Sequence, residues 1–565
     1  MQKNTESSAR GTSCFAMKSV SESMEDILQP SNRSYSAGTN RLKMCCSPTY
    51  QVRRLRNKAA ILILVWNYLG LSVQNYLSLY PYIYIFGATW HLCCILWVLT
   101  LPIAGWLADV RLGRYKVIRW SMLFVWMASV LIVASSVLSQ FVESYSHINN
   151  RYIITVLLFI VCIACGAYQA NIILYGIDQL QDASTEEITS FISWYMCTWY
   201  GSEAIHHITH LYLSTMYYGR LLEEFTTCIC LTLMVISALA FDKVFLKEPI
   251  TQNPFQLIYK VIKYAIKTKH PRCRSAFTYC EDELPSRIDF GKHKYGGPFT
   301  TEEVENVKTF LRILVVIFVG SVVSSGMFSF NTGFKLISNS DREGTSLFTW
   351  ITTVDIAYFN GALLIVLHEF LFYPLLQKSL SCIQSYRWKL SVGVVSQIAR
   401  VVALMAIDLT ARHNYVTKCS NSTIQCIFAE KSGILSSNFN MKWIILPHLL
   451  NSVSLITLIV GVFEFICSQS PYSMRGLLFG AIYGIVLFYN VIGYGIFEPF
   501  TRYAQSTVWG TGIISCEFWF LLLVLLFLVG YAIMSRVLMK WYKNRKREDV
   551  LPNEQIFAER YYTRY

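Results

Sequence analysis

Gly105 to Trp120, GWLADVRLGRYKVIRW, is the stretch on which the reading of this chain turns. It lies between two apolar runs and packs Asp109, Arg111, Arg114, Lys116 and Arg119 into a link too short to be a domain. An acid, a glycine and an arginine at this spacing suit a tight cytoplasmic hairpin between two membrane helices. Gly113 lets the backbone turn without a Cβ penalty. Arg114 and Lys116 anchor on the inner face, where basic residues concentrate. Asp109 suits either a helix N-terminus or a cation. The basic residues alone would serve an ordinary inner loop, whereas the pattern G-x-L-A-D-x-x-x-G-R-Y is more specific.

Composition sets the class. Of 565 residues, 54% are hydrophobic and only 15% charged, which selects a polytopic membrane protein over a set of soluble domains. The net charge of +14 does not indicate a nucleic-acid partner, because the cations flank apolar spans. Arg53, Arg54, Arg56 and Lys58 precede the first span, and Lys540, Lys543, Arg545, Lys546 and Arg547 follow the last. That is positive-inside topology with the lipid bilayer as partner. The 17 cysteines show no metal-ligand spacing, and no cofactor motif, nucleophile or phosphate loop marks an enzyme.

Apolar segments fall near Lys58–Leu79, Ile83–Ala108, Tyr115–Leu138, Ile153–Tyr175, Ile188–Leu213 and Phe225–Val244. After a polar insert they resume near Val307–Ile337, Leu347–Leu376, Leu390–Leu409, Trp443–Cys467, Met474–Ile496 and Gly510–Met539. About twelve segments are therefore long enough to cross a ~30 Å hydrocarbon core as helices. The organisation expected is a disordered cytoplasmic tail (1–55), a six-helix bundle (56–246), a cytoplasmic linker (247–306), a second bundle (307–539) and a basic cytoplasmic tail (540–565). Loop 411–441 then falls outside. It carries the glycosylation sequon at Asn421 with Cys419 and Cys426 on either side, as for a small disulfide in an oxidising compartment. In the linker, Leu257, Val261, Ile262 and Ala265 alternate with Lys260, Lys263 and Lys267, which fits a helix on the inner leaflet or a solvated connection. Thr300 to Glu303 supplies a helix cap before the seventh span.

Several blocks resemble one family. Tyr175-Gly176-Ile177-Asp178-Gln179-Leu180 is similar to F-G-A-D-Q-F, and Phe191 to Tyr195 closing with Gly201-Ser202 is similar to F-x-x-x-Y-x-x-I-N-x-G-S. Glu464 to Arg475, EFICSQSPYSMR, matches E-F-x-Y-S-Q-A-P-x-S-M-R most closely. Together with the opening hairpin, these resemble the proton-coupled oligopeptide transporters of the major facilitator superfamily. The resemblance implies an all-α membrane protein of major facilitator fold, with twelve transmembrane helices in two pseudo-symmetric six-helix bundles. It implies alternating access to a central site, proton symport, and a small peptide or amino-acid-like solute. It also implies an inner gate in which Asp109, Gly113 and Arg114 face Ser470 and Arg475, with Ser470 capping a helix that starts at Pro471.

The family's coupling residues are largely absent. Its first-helix E-x-x-E-R corresponds here to Ile61, Leu64 and Val65, its fourth-helix lysine to Gln169, its fifth-helix asparagine to Trp199 and its tenth-helix glutamate to Leu455. A dipeptide zwitterion needs both an anion and a cation in a desolvated cleft. The solute is therefore less charged, or other residues have taken over. Tyr68, Gln169, Tyr195, Trp199, Asp355 and Leu455 are the cleft candidates, with Asp355 the group most suited to titrate. Glu203, His206, His207 and His210 read as histidines of a wet, pH-sensing outer vestibule, with a zinc site as the less favoured alternative. Glu464 and Glu369 suit structural ion pairs at the cytoplasmic edge. The alternative function is a transport-deficient scaffold or nutrient sensor, in the plasma membrane or an endolysosomal membrane.

Overall fold

The computed structural model describes residues 57–73, 89–141, 147–180, 183, 185–214, 216–247, 253–268, 286–324, 356–372, 386–421, 443, 445–486, 488–489 and 516–542. Among the described residues the regular structure is helical, with one isolated bridge between Lys292 and Phe299. The helices are α1 (Lys58–Leu71), α2 (Thr89–Leu107), α3 (Arg114–Phe141), α4 (His147–Asp178), α5 (Thr185–Ser214) and α6 (Gly219–Ala240). They continue with α7 (Pro254–Lys267), α8 (Thr301–Ser324), α9 (Ile356–Leu367), α10 (Tyr386–Asn421), α11 (Ile445–Gln469), α12 (Arg475–Val486) and α13 (Cys516–Trp541). Each predicted span is represented by one of these helices, with α7 lying in the insert between the two sets of six.

Two compact units emerge, one made of Val52–Gln256 with Asn306–Tyr565, the other containing Leu257–Glu305. In the larger unit seven helices are both long and apolar enough to cross a membrane, and α1, α12 and the Tyr358–Leu371 stretch around α9 are shorter apolar helices. α5, at 30 residues, is as long as a span needs but more polar. Within the first half α3 packs on α4 and α6, α2 on α4, and α1 on α5. Within the second, α10 packs on α11 and α13, and α9 on α11.

Polar side chains lock the first half where apolar surfaces alone would slide. Asn57 caps α1 by accepting from the amides of Ala59 and Ala60, and its own amide donates to the Gln179 carbonyl at the end of α4 (2.6 Å). Trp66, fully buried, stacks on Phe245 and donates to Ser237 Oγ at 2.8 Å. Asn67 donates to Thr198 Oγ1 at 2.8 Å and so ties α1 to α5. In a helix bundle surrounded by lipid such bonds carry register, since apolar contact is no better between helices than with lipid.

The smaller unit bears out the amphipathic pattern of the insert. On α7, Val261 and Ala265 are buried while Lys260, Lys263 and Lys267 face outward. The predicted cap is a reciprocal capping box. Thr300 Oγ1 accepts from the Glu303 amide at 3.2 Å, and Glu303 Oε2 accepts from the Thr300 amide at 2.9 Å. One expectation changes. The stretch after the ninth span was expected to be loop from residue 411, yet α10 runs on to Asn421. No glycine or proline interrupts Ala411–Asn421, so nothing in that sequence stops the helix when it leaves the apolar layer.

Candidate functional site

The hairpin between α2 and α3 is built as predicted, with a refinement. α2 ends in a π-turn, Ala108–Leu112, closed by the Gly113 amide on the Ala108 carbonyl (2.9 Å), and Gly113 then takes φ 83°. This wider turn places Asp109 inward, 4% exposed. Arg114 is equally buried and not a surface anchor. Its Nε donates to Asp109 Oδ1 at 2.9 Å and its Nη1 to Asp178 Oδ2 at 2.5 Å. Asp178, from the family-like Y-G-I-D-Q-L block, thus completes a carboxylate–guanidinium–carboxylate bridge joining the ends of α2, α3 and α4. Asp109's second oxygen looks the other way. It accepts from the backbone amide of Gly476 at the start of α12, at 3.1 Å.

That bond crosses from the first half to the second, and the backbones around it touch. A Cβ on Gly476 would lie 2.2 Å from Asp109 Oδ2, one on Gly105 2.8 Å from the Gly476 carbonyl, and one on Gly480 2.4 Å from Pro102 Cα. One and two turns further along α12, Gly480 and Tyr483 continue the same face, with Tyr483 packed against Val98, Leu101 and Ala170. α2 and α12 therefore form one closed seam from Asp109 upward. The chain entering α12 differs from expectation. Tyr472–Met474 form a single 3-10 turn ahead of the helix, and Ser470 Oγ accepts from Arg475 Nε (3.3 Å) instead of capping. Asp109 does the capping from the opposite half, where a carboxylate is favoured by the free amides of the first turn.

A second seam joins α5 and α9. α9 also ends in a five-residue π-turn, His368–Phe372, with an acid in second place, Glu369. Glu369 is 1% exposed and accepts from Ser190 Oγ near the start of α5 at 3.2 Å. Trp194 meets Phe370 edge to face, Cys197 Sγ donates to the Ala362 carbonyl, and the Tyr200 ring covers Gly361. The expected ion pair at Glu464 is present, with Lys389. Glu369 instead meets a neutral hydroxyl across the seam, with His368 Nδ1 beside its other oxygen at 3.2 Å.

Among the cleft candidates, Gln169 on α4 and Tyr195 on α5 are buried. Gln169 Oε1 and the Tyr195 hydroxyl have no hydrogen-bond partner among the described residues, and nor do the hydroxyls of Tyr168, Tyr200 and Tyr483. These groups come from α4, α5 and α12, on both sides of the division between halves. Tyr68 is about one-third exposed, with its carbonyl accepting from Ser202 Oγ (3.4 Å), and Trp199 and Leu455 are half-buried. Asp355 and Cys426 lie outside the described residues, and of Cys419 and Asn421 only the helical backbone at the end of α10 is described. Of the histidines, His206 and His210 are brought together beside an acid. His206 is 6% exposed, and with His210 it flanks the buried Glu223 of α6, at 3.7 and 3.2 Å.

No family model matches the chain. It is 21% identical to solute carrier family 15 member 3 of Mus musculus over 442 residues, covering 70% of this chain and 74% of that protein. It is 24% identical to solute carrier family 15 member 5 of Homo sapiens over 239 residues, 38% of each. The chain is similar to solute carrier family 15 members. Its fold is that of solved relatives. An auto-inhibited POT family peptide transporter superposes with a TM-score of 0.56 at 14% identity, covering 86% of this chain and 98% of the other. A POT family transporter crystallised in meso gives 0.56 at 14%, covering 86% and 99%. This solute-carrier-like chain is thus a multi-pass membrane protein with solute carriers, not enzymes, as its named relatives.

Proposed function

We propose that this chain is a secondary transporter that moves a small peptide, amino acid or related nitrogenous solute by alternating access, recognising it through hydrogen bonds more than through charge. The observation carrying this reading is the Asp109–Gly476 contact with its Arg114–Asp178 brace. A buried acid capping a helix of the opposite half stabilises the state closed on the cytoplasmic side, and breaking it frees the two halves to rock. The buried hydroxyls of Tyr168, Tyr195 and Tyr483, with Gln169 Oε1, lack partners among the described residues and support a polar, uncharged recognition surface, since a solute would satisfy groups that are costly to leave unpaired. The named relatives support peptide-like cargo and, by family, a proton as co-substrate. The inner gate comprises Asp109, Gly113, Arg114, Ser470 and Arg475, to which Asp178 and Gly476 are added.

The second reading is a transporter-derived scaffold or nutrient sensor, favoured by Ile61, Leu64, Val65, Gln169 and Leu455 standing where the family has charges. Uptake of labelled dipeptides into vesicles containing the purified chain, with and without an inward proton gradient, separates the two. Saturable uptake is expected. Its absence from a folded, correctly inserted protein would select the scaffold reading.

A further inference from the structure

A cavity of about 420 Å³ opens beside the hairpin, along the first turns of α3. Its walls are apolar and aromatic, from Leu112, Tyr115, Trp120, Leu123 and Tyr175. Its cations are Lys116, Arg119 and Lys247. Arg114 also borders it but is committed to Asp109 and Asp178. Asp242 stands beside two of the cations, 3.1 Å from Lys247 and 3.4 Å from Arg119, and Tyr115 donates to it as well. Lys116 is exposed and has no ion-pair partner among the described residues. Three positive charges therefore face one carboxylate.

The position of this cavity along α3 is informative. Trp120, Phe124, Met127 and Leu131 recur at helical spacing and are 59%, 47%, 43% and 54% exposed. They make a lipid-facing stripe, and the cavity sits where that stripe ends and the basic hairpin begins. An exposed tryptophan at this boundary marks the headgroup level of the inner leaflet. A site that is apolar on the membrane side and cationic on the water side suits an amphiphile bearing an anion.

We propose that this cavity binds the phosphate headgroup of an anionic glycerophospholipid of the inner leaflet, held by Lys116, Arg119 and Lys247 with the glycerol region against Trp120 and Leu123. The same phosphate chemistry exists in water-soluble glycerol phosphates, but a small solute has no use for the apolar wall. With one of the three charges offset by Asp242, roughly two are uncompensated, and at about fivefold attraction for each the preference for anionic over zwitterionic lipid is about twenty-five-fold.

The test uses the full chain purified and reconstituted in phosphatidylcholine. Chain-matched dibrominated phosphatidylglycerol or phosphatidylcholine is titrated in, and quenching assigned to Trp120 is taken as the difference from Trp120→Phe. Quenching at about twenty-five-fold lower mole fraction of the anionic lipid is expected. The triple variant Lys116→Gln/Arg119→Gln/Lys247→Gln should abolish that preference, and so should the single reversal Lys116→Glu, whose exposed site leaves folding intact. The linker variant Lys260→Gln/Lys263→Gln should keep it. Equal quenching by both lipids, or an equal loss in the linker control, would overturn the proposal. So would displacement of the brominated lipid by millimolar sn-glycerol 3-phosphate, which would assign the site to soluble phosphate.

Discussion

Asp109→Asn tests the seam contact by removing one of two acceptors. The carboxylate serves two donors with two oxygens, Arg114 Nε at 2.9 Å and the Gly476 amide at 3.1 Å. Asparagine has one acceptor oxygen, and its NH₂ group cannot accept from either donor. One contact must go, and because Arg114 is buried and cationic, the oxygen stays with it. The amide of Gly476 is then left facing a donor. Losing a hydrogen bond to a charged group costs about 1.5–3 kcal/mol, which multiplies the population of the open seam by roughly ten to a hundred and fifty. Hydrogen exchange of the peptide spanning residues 470–486, in nanodiscs, reads this directly. Exchange at Gly476 should accelerate by that factor while the interior of α4 is unchanged. Ser470→Ala, which removes an acceptor for Arg475 but not the seam bond, should leave Gly476 protected. Unaltered protection in Asp109→Asn would mean that the acid does not hold the halves together, and the gate reading would fall.

Gly476→Ala attacks the same contact sterically. Its Cβ would stand 2.2 Å from Oδ2 of a carboxylate that Arg114 holds through Oδ1, so about 1–3 kcal/mol of overpacking should open the seam with Asp109 itself intact, visible in the same exchange experiment. Tyr195→Phe deletes a buried hydroxyl with no partner among the described residues. Melting should be unchanged or slightly raised, while solute uptake weakens by about 1 kcal/mol or more, tenfold at the upper end. A drop in both would assign the hydroxyl to structure alone. The Tyr115 hydroxyl, and after it Lys247, holds the Asp242 carboxyl below its ordinary value. A depressed acid stabilises the folded form above the unfolded value and loses that effect as pH falls through the folded one. An acid titration of melting should therefore show a step below about pH 4 that Asp242→Asn removes.

What the sequence disclosed follows from where the information sits. Apolar span length is written in consecutive letters, so each membrane helix was legible, and so was the hairpin, whose acid, glycine and arginine fall within six residues. Asp178 was visible as part of a motif, but its bond to Arg114 closes over 64 positions and leaves no local trace. The partner of Asp109 is a backbone amide, which has no letter. Ser470 followed by Pro471 carries an ordinary capping signature, and only the 3-10 turn after it shows why the serine is turned toward Arg475. His206 and His210 read as exposed because a polar pair on a helix usually is. The Glu223-Glu224 pair in the first two turns of α6 was the available signal that they meet an acid. Tyrosines of a cleft and tyrosines of a packed core are spelled alike, and only unsatisfied hydroxyls distinguish them.

The two acids at the ends of α2 and α9 hold equivalent places in equivalent π-turns, yet they do not hold the halves equally. Asp109 is braced by a guanidinium shared with Asp178 and caps a helix through a backbone amide. Across the seam Glu369 reaches a neutral hydroxyl, Ser190 Oγ, with its neighbour His368 beside the other oxygen and no arginine among the described residues. A charged acceptor facing a neutral donor is retained in weaker form by glutamine, so Glu369→Gln should cost the α5–α9 seam no more than about 1 kcal/mol, against the larger loss at Asp109. The difference predicts an order of events. With its weaker tie, the α5–α9 seam gives way first, and α2–α12 opens only when the braced acid releases. Site-specific exchange at the start of α5 and of α12 in the wild-type chain should show the first faster than the second, with Glu369→Gln narrowing neither by more than about fivefold. Equal protection at both helix starts, or a larger effect of Glu369→Gln than of Asp109→Asn, would show that the repeated turns share the load and that the arginine brace is incidental to gating.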